Sequence, residues 1–408
     1  MTNPTLDAYQ QVFGMACIVG RTAGYRGNTE NLQLQLQFDL SFYLNNVPPV
    51  TVLGQDAPSK ADPSVTPSLG NWNLAWGPAI FENTTHEFAA NAVFVAQCDA
   101  VAFPGGPVMP VYAVAIAGTN PSSLYDWIDE DLAVSQVVNW TTYDPAHFKP
   151  APYQDNLPFI SEGTALGVSN ILSLKAPATA AAPGTSLKEF LENVKPGPDT
   201  AVIFCGHSLA GALSPTVALY LKQQKSLDAF GLTLIYPTAG PTPGEANFAK
   251  LFNDTFPALP SGWQPQPRPY QNWNTMHWNT LDVIPHSWNN TSLKQVPTLY
   301  GPPQTDALLK ELTGLVEGAM QRAGKSNTQY MPIRNASLPG IVQHCTASGN
   351  INVPPQSMGD FNAQMAIQHT RMYFGIPPCG SNPPVPGLIL PEALPESSPL
   401  LVPGVVKM

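Results

Sequence analysis

Charged side chains are scarce in this chain. Only 11% of its 408 residues are Asp, Glu, Lys or Arg, and 18 basic residues against 28 acidic ones leave a formal net charge of −10. Nucleic acids and anionic membranes attract clustered basic side chains, so this balance argues against both as electrostatic partners. Asn, Gln, Ser, Thr and Pro supply the polar surface instead, a composition typical of secreted proteins.

Long apolar runs are also missing. No stretch of about 18 apolar residues occurs that could form a transmembrane helix. The segment Met1–Asp7 has neither basic residues nor a long apolar core, so we expect no signal peptide in this sequence. Hydrophobic residues nevertheless make up 43% of the chain, which is enough for the core of a globular domain.

Cofactor motifs are absent as well. The sequence has no P-loop and no G-x-G-x-x-G turn, and its five cysteines match no zinc-site spacing. We therefore expect no cofactor and no metal. Five cysteines cannot all pair, and Cys205, which lies in an apolar run, is expected to be a small buried hydrophobic residue.

The most informative motif is an apolar strand-like run that leads into Gly206-His-Ser-Leu-Ala210 and continues as a helix-like segment, Leu209–Gln223. A serine hydroxyl is a weak nucleophile, so it must project from a tight strand-to-helix turn where a base and backbone N–H groups can reach it. The pattern predicts such a nucleophile elbow at Ser208. The fifth position is usually Gly but is Ala210 here, followed by Gly211, and we expect this methyl group to be tolerated.

Seven histidines limit the search for the base. His369 precedes the segment Tyr373-Phe-Gly375, and this segment and the Gly-His-Ser-Leu run together resemble the class 3 lipases, the fungal-lipase-like branch of the α/β-hydrolases. In that family the catalytic histidine precedes an aromatic-Phe-Gly segment. The resemblance implies that His369 is the base, with His344 as the alternative.

The same resemblance suggests the acid. The segment Met276–Pro285 is similar to the family's His-x-Asn-Asp-x-Val-Pro sequence, with Asp282 at the acid position and Leu281 where the family has Asn. The chain order Ser208, Asp282, His369 is that of the α/β-hydrolases. Taken singly, Asp282 could be a turn acid at a strand end and His369 a core histidine bonded to backbone. The remaining histidines near these motifs are interpreted as structural: His207, His277 and His286.

An oxyanion-binding turn is suggested by the run Val111–Thr119, which resembles the family's strand-Arg-Gly-[Ser/Thr] turn. The resemblance implies that Thr119 and the N–H of Leu209 are the two oxyanion donors. Removing one such donor typically costs on the order of ~3 kcal/mol of transition-state stabilisation. Ala117 stands where the family has Arg, so whatever that Arg anchors must be anchored differently.

The alternation of strand and helix patterns indicates an α/β fold with a mostly parallel central sheet flanked by helices. We expect one α/β-hydrolase domain over residues 1–379 and a proline-rich tail over 380–408. The section Asn46–Pro78 looks too irregular for regular structure. Other expected elements are helices at Leu6–Val19, Ser186–Val194 and Gln304–Arg322, and strands at Glu87–Cys98, Val111–Ala117, Leu232–Tyr236 and just before Asp282.

Two segments are candidates for covering the site. Residues 120–132 are amphipathic, with Leu124, Trp127 and Ile128 on one face, and they stand where the family carries its lid. The alternative is a fixed helix with a solvated acidic face. The helix Gln304–Arg322 is interpreted as part of a cap insertion over residues 300–340, or alternatively as a surface helix packed on the core.

Two classes of function remain open. The resemblance implies a serine hydrolase that acts on acylglycerols at a lipid–water interface, or on other carboxylic esters or phospholipids. The alternative is a non-catalytic lipid-binding relative, because Ala117, Ala210 and Leu281 depart from the family pattern. Cys345 and Cys379 bracket His369 and could form a disulfide there. The sequence does not indicate an oligomeric state.

Overall fold

A seven-stranded sheet organises the protein. The structure, a computed structural model, describes residues 6–52, 55–56, 69–82, 89–118, 133–346 and 349–374. The strands of the central sheet are β1 (Asn73–Glu82), β2 (Ala89–Ala102), β3 (Val108–Ala117), β4 (Ala201–His207), β5 (Leu232–Thr238), β6 (Met276–Asn279) and β7 (Asn335–Leu338). Their order across the sheet is β7-β6-β5-β4-β3-β2-β1. Strands β3 to β7 pair in parallel and β1 and β2 pair antiparallel, which confirms the mostly parallel sheet.

Helices cover both faces of this sheet. On one face lie α1 (Ala8–Gly20) and α2 (Thr29–Ser41), and on the other lie α3 (Glu162–Ser173), α4 (Leu187–Asn193), α5 (Leu209–Gln223) and α6 (Ala246–Thr255). The remaining helices, α7 (Asn290–Leu293), α8 (Asp306–Gly324) and α9 (Met358–His369), pack together in a separate cluster. Short two-stranded ribbons pair 51–52 with 55–56, 137–139 with 159–161 and 345–346 with 349–350.

The core forms two layers because side chains alternate along a strand. Ile203 and Cys205 of β4 face the cluster that contains α1, whereas Val202 and Phe204 face the cluster that contains α3 and α5. All four side chains are fully buried, as expected for a central parallel strand with a helix layer on each face. The elbow strand is therefore held from both sides.

One expectation about the N-terminal third was wrong. The section Asn46–Pro78 was expected to be irregular, but β1 begins within it, at Asn73. The strand tolerates Pro78 because β1 is at the edge of the sheet and its register against β2 shifts between Trp76 and Ala79. The proline masked the strand pattern in the sequence.

The helix predicted at Gln304–Arg322 is present as α8. Its buried side chains belong to a third cluster with Val283 and with Phe361 and Met365 of α9. Leu309 of this helix is 41% exposed. The candidate lid 120–132 and the tail 380–408 lie outside the described residues, so α8 is the only candidate covering element with a described position.

Candidate active site

Ser208 lies in the turn between β4 and α5, as predicted. Its backbone has φ 61° and ψ −132°, a region that non-glycine residues rarely adopt and that often marks functional sites. The backbone N–H of Ser208 donates to the carbonyl oxygen of Thr238 on the adjacent strand at 3.1 Å. This bond fixes the turn against β5, and the serine side chain stands at the end of the sheet.

The two glycines that flank the elbow, Gly206 and Gly211, have no space for a Cβ atom. A Cβ atom on Gly206 would lie 2.5 Å from the carbonyl oxygen of Ala210 and 2.7 Å from its Cβ. One on Gly211 would lie 2.4 Å from the carbonyl oxygen of Thr238. The methyl group of Ala210 therefore fits because position 206 has none, and the close approach of the helix to β5 depends on Gly211.

Three side chains from separate parts of the chain meet at this turn. The Nε2 atom of His369, the last residue of α9, is 2.8 Å from Ser208 Oγ. Its Nδ1 atom is 3.0 Å and 2.9 Å from the two carboxylate oxygens of Asp282. Asp282 is completely buried and His369 is 5% exposed, so bulk water does not compete for these bonds.

The alternative base does not join this arrangement. His344 is exposed, and among the described contacts it has no bond to Ser208 or Asp282. Its described hydrogen bond uses the backbone, whose carbonyl oxygen accepts from the N–H of Ile351 at 2.9 Å.

Asp282 follows β6 and is held by further donors. One carboxylate oxygen accepts the N–H of Ile284 at 3.0 Å, and the other accepts the hydroxyl of Tyr373 at 2.8 Å. That hydroxyl in turn accepts the N–H of Asn279 at 2.9 Å. Burial, and then the neighbouring Asp282, raises the pKa of Tyr373 well above its ordinary value, so Tyr373 stays protonated and donates. In the sequence, Tyr373 served only to mark the segment after His369, and its contact with Asp282 was not predicted.

Asn279 supplies the polar side chain that Leu281 lacks. Its Oδ1 accepts the N–H of Leu281 at 3.0 Å, and its Nδ2 donates to the backbone and side-chain oxygens of Gln368 at 3.0 and 2.7 Å. Asn279 therefore ties the end of β6 to the helix that ends at His369. An asparagine three residues before the acid is the sequence signal that could have indicated it.

His207 contacts the site without being placed to act as a base. Its Nδ1 is 2.9 Å from Thr238 Oγ1 and its Nε2 is 2.9 Å from the backbone oxygen of His369. Burial, and then the neighbouring His369, lowers the pKa of His207 to about 3. The ring is thus neutral and bonded on both sides, so His207 is not itself placed to take the proton of Ser208.

The other two histidines near Asp282 are also bonded to backbone. His277 Nε2 lies 2.8 Å from the carbonyl oxygen of Asn272, and His286 Nδ1 lies 3.1 Å from that of Ser292. Burial lowers the pKa of His277 to about 4 and also lowers that of His286. Neither ring bonds to the Asp282 carboxylate.

The oxyanion region is described only in part. Leu209 begins α5, whose N-terminus directs backbone N–H groups and a positive dipole end toward the turn. A Cβ atom on Gly118 would lie 2.6 Å from Leu209 Cβ and 2.9 Å from the backbone nitrogen of Ala210, so the end of β3 abuts this helix. Thr119 lies outside the described residues, as do Leu124, Trp127 and Ile128. Ala117 is buried in the apolar cluster that contains α1.

Among the residues that the structure describes, no group of three or more His, Cys, Asp or Glu side chains could hold a metal ion. No described helix has the length and apolar character to cross a membrane. Cys205 is buried with a free thiol, as expected, and Cys345 is disulfide-bonded. Cys379, its expected partner, lies outside the described residues.

Comparison with known proteins points to one family. Residues 148–290 match the family model described as lipase (class 3). No curated protein matches the chain. Among solved structures, M37 lipase is similar over 90% of this chain and 91% of its own, with a TM-score of 0.64 and 23% identity. This similarity bears on the fold.

Two fungal structures align over a smaller share. The lipase from Rhizopus microsporus var. chinensis is 16% identical over 54% of this chain and 57% of its own, with a TM-score of 0.34. The Rhizomucor miehei triacylglyceride lipase is 18% identical over 53% and 61%, with a TM-score of 0.32. Such low scores carry no argument about this chain.

Proposed function

We propose that this chain, a serine ester hydrolase of the class 3 lipase family, cleaves acylglycerol esters through an acyl-enzyme on Ser208. The match over residues 148–290 confirms the resemblance seen in the sequence, and the similarity to M37 lipase confirms the α/β-hydrolase fold. The observation that carries the proposal is the unbroken line of hydrogen bonds from Ser208 through His369 to Asp282.

The roles of the three side chains follow from proton bookkeeping. A carboxylate can only accept, so Asp282 requires a proton on His369 Nδ1 and leaves a lone pair on Nε2. That lone pair lies 2.8 Å from Ser208 Oγ, within reach of the hydroxyl proton. Ser208 then attacks the ester carbonyl, His369 takes the proton and returns it to the leaving alcohol, and Asp282 stabilises the imidazolium.

The oxyanion that forms on attack needs donors. We assign them to the N–H of Leu209, at the N-terminus of α5, and to Thr119. The contact of Gly118 with the first turn of α5 supports this assignment, because Thr119 is the next residue along the chain after Gly118. In the second step His369 takes a proton from a water molecule, which attacks the acyl-enzyme. The bond to Ser208 Oγ breaks, Oγ takes the proton back from His369, and the carboxylic acid leaves.

Neutral acylglycerols are favoured over anionic lipids as substrates. The net charge of −10 opposes adsorption to an anionic surface, whereas it does not affect an uncharged lipid droplet. The segment 120–132 is proposed as a lid that exposes Leu124, Trp127 and Ile128 at a lipid surface. The helix α8 packs on Val283, which follows Asp282, and on α9, which ends at His369, and we propose that it belongs to a cap over residues 300–340.

Labelling with a fluorophosphonate probe tests the proposal, because an activated serine reacts with it and an unactivated one does not. The wild-type protein should be labelled and Ser208→Ala should not, although both should unfold at about the same temperature. A wild-type protein that is not labelled, and that hydrolyses no ester, would identify a non-catalytic lipid-binding relative instead.

Substrate preference is tested separately with Trp127→Ser. If residues 120–132 are a lid, this change should lower activity on emulsified long-chain triglyceride much more than on a dissolved short-chain ester. The reason is that burying such a side chain away from water is worth roughly 1.5–3 kcal/mol. Equal losses on both substrates, together with a lower melting temperature, would show that the segment is scaffold.

A further inference from the structure

The side chain of His207 closes a ring of hydrogen bonds around the proposed nucleophile and base. Ser208 N–H donates to the Thr238 carbonyl at 3.1 Å, and Thr238 Oγ1 is 2.9 Å from His207 Nδ1. His207 Nε2 is 2.9 Å from the carbonyl oxygen of His369, whose own Nε2 is 2.8 Å from Ser208 Oγ. The ring therefore connects the elbow, β5 and the end of α9.

The chemistry of the partners settles which nitrogen of His207 carries the proton. A carbonyl oxygen can only accept, so the bond to His369 requires a proton on Nε2. Nδ1 then has a lone pair and accepts the hydroxyl proton of Thr238 at 2.9 Å, the shorter of the two contacts of that hydroxyl. Each group in this ring of hydrogen bonds thus acts either as a donor or as an acceptor in each bond.

The carbonyl of His369 has no other described support. His369 is the last residue of α9, and the last carbonyls of a helix have no partner within it. The following N–H, that of Thr370, turns back to Ala366 and Ile367, and among the described residues only His207 donates to the His369 carbonyl. Among the described bonds, the one from His207 is therefore the one that ties the backbone of His369 to the elbow strand.

The ring of His207 also packs against the remaining members of the site. Its centroid lies 5.0 Å from that of His369 and 5.0 Å from that of Tyr373, whose hydroxyl donates to Asp282. The His207 ring thus contacts His369 directly and contacts Asp282 through Tyr373, and it belongs to the residue next to Ser208. A movement of this ring would therefore displace all three proposed catalytic side chains.

We propose that His207 is a positioning residue for ester hydrolysis, holding the backbone of His369 at the distance from the elbow at which Nε2 meets Ser208 Oγ. This inference rests on the proposed function and adds a residue to its machinery. Displacement of a reacting group by about 1 Å can cost on the order of 100-fold in rate, so loss of the bond should reduce turnover rather than substrate binding.

His207→Phe tests the inference because it keeps a planar ring of similar size and removes both hydrogen bonds. We expect kcat on a dissolved short-chain ester to fall about 10- to 100-fold while KM changes less than about twofold. The rate of fluorophosphonate labelling should fall in parallel. His207→Gln should recover a substantial part of both rates, because the amide nitrogen of Gln can donate to the His369 carbonyl.

His277→Phe is the matched control. His277 is also a buried neutral histidine that donates to a backbone carbonyl, at 2.8 Å, but that carbonyl belongs to Asn272. The melting temperature of the His277→Phe variant should fall about as much as that of His207→Phe, whereas its kcat should stay within about twofold of the wild type. A merely structural role for His207 predicts equal effects of the two substitutions on kcat.

Thr238→Val is the second route, in case His207→Phe does not fold. It leaves His207 in place and removes the hydroxyl that holds Nδ1, and it should lower kcat several-fold at unchanged KM. Three results would overturn the inference. The first is a Thr238→Val variant with the kcat of the wild type, and the second is a His207→Phe variant that loses no more kcat than the His277→Phe control. The third is a His207→Gln variant whose kcat is no higher than that of His207→Phe. Failure of the proposed function is distinguishable, since the wild-type protein itself would then not be labelled.

Discussion

Gly206→Ala should be one of the most damaging small substitutions in this protein. The added Cβ would lie 2.5 Å from the carbonyl oxygen of Ala210, 2.8 Å from its carbonyl carbon and 2.7 Å from its Cβ. Real Cβ contacts essentially never fall below 3.0 Å, so the first turn of α5 must move by about 0.5 Å. No side-chain rotation can relieve this contact, because two of the three atoms are backbone.

The displacement affects catalysis and stability together. The N–H of Leu209, the proposed oxyanion donor, lies in the turn that must move, and a misplacement of about 1 Å can cost on the order of 100-fold. We therefore expect kcat/KM on a dissolved ester to fall on the order of 10- to 100-fold. Overpacking should also lower the free energy of unfolding by about 1–3 kcal/mol.

Gly314→Ala is the matched control. Gly314 lies within α8, and a Cβ atom there would meet nothing within 4 Å. The same substitution should therefore stabilise the protein by roughly 0.5–1 kcal/mol and leave kcat/KM unchanged. The prediction is checked by measuring kcat/KM for ester hydrolysis and the thermal unfolding of both variants. If Gly206→Ala kept more than half of the wild-type kcat/KM, the tight packing described for the elbow would be refuted.

Three further predictions concern the groups around Asp282. His369→Ala should abolish ester hydrolysis almost as completely as loss of the serine, whereas His344→Ala should leave kcat/KM within about twofold; the reverse result would show that the base is misassigned. Tyr373→Phe removes the donor to Asp282, a hydrogen bond to a charged group worth about 1.5–3 kcal/mol, and should lower both kcat and melting temperature; unchanged values would show that this hydroxyl is dispensable. The pKa of His277 is about 4 in the folded protein against 6.5 when unfolded, so its contribution to stability is complete above pH 6.5 and is lost as the pH falls toward 4. Denaturant titrations should show a free energy of unfolding that falls over this range by roughly 3 kcal/mol from this group, and His277→Phe should flatten that fall; an equally steep fall in the variant would contradict it.

The departures from the family pattern have physical explanations that bear on whether the protein is an enzyme. The methyl group of Ala210 fits against Gly206, Ala117 is buried in an apolar cluster, and Asn279 makes the polar contacts near the acid where Leu281 cannot. None of these changes disturbs a hydrogen bond among the three proposed catalytic side chains. The departures therefore give no support to loss of turnover.

Local features were readable from the sequence. The elbow at Ser208 depends on an apolar strand, a glycine two residues before the serine and a helix after it, all within a short continuous run. The helices α1, α5 and α8 could be located for the same reason, since apolar spacing along a chain reports which face is buried. Asp282 and His369 were suggested by their resemblance to family segments, and no spacing relates either of them to Ser208.

Contacts across long separations were decided by the tertiary structure. Asn279 meets Gln368, Tyr373 meets Asp282, and His207 meets the carbonyl of His369. In each case the two partners are 89 or more positions apart along the chain. A sequence records which side chain can donate or accept, but the partner depends on which chain segments the sheet and helices bring together. The composition, the strand-turn-helix elbow and the candidate nucleophile Ser208 within it could therefore be predicted from the sequence alone. The hydrogen bonds that orient the proposed base and acid exist only after folding, because parallel strands place their carboxyl ends at one edge of the sheet, and the loops that follow distant strands meet there.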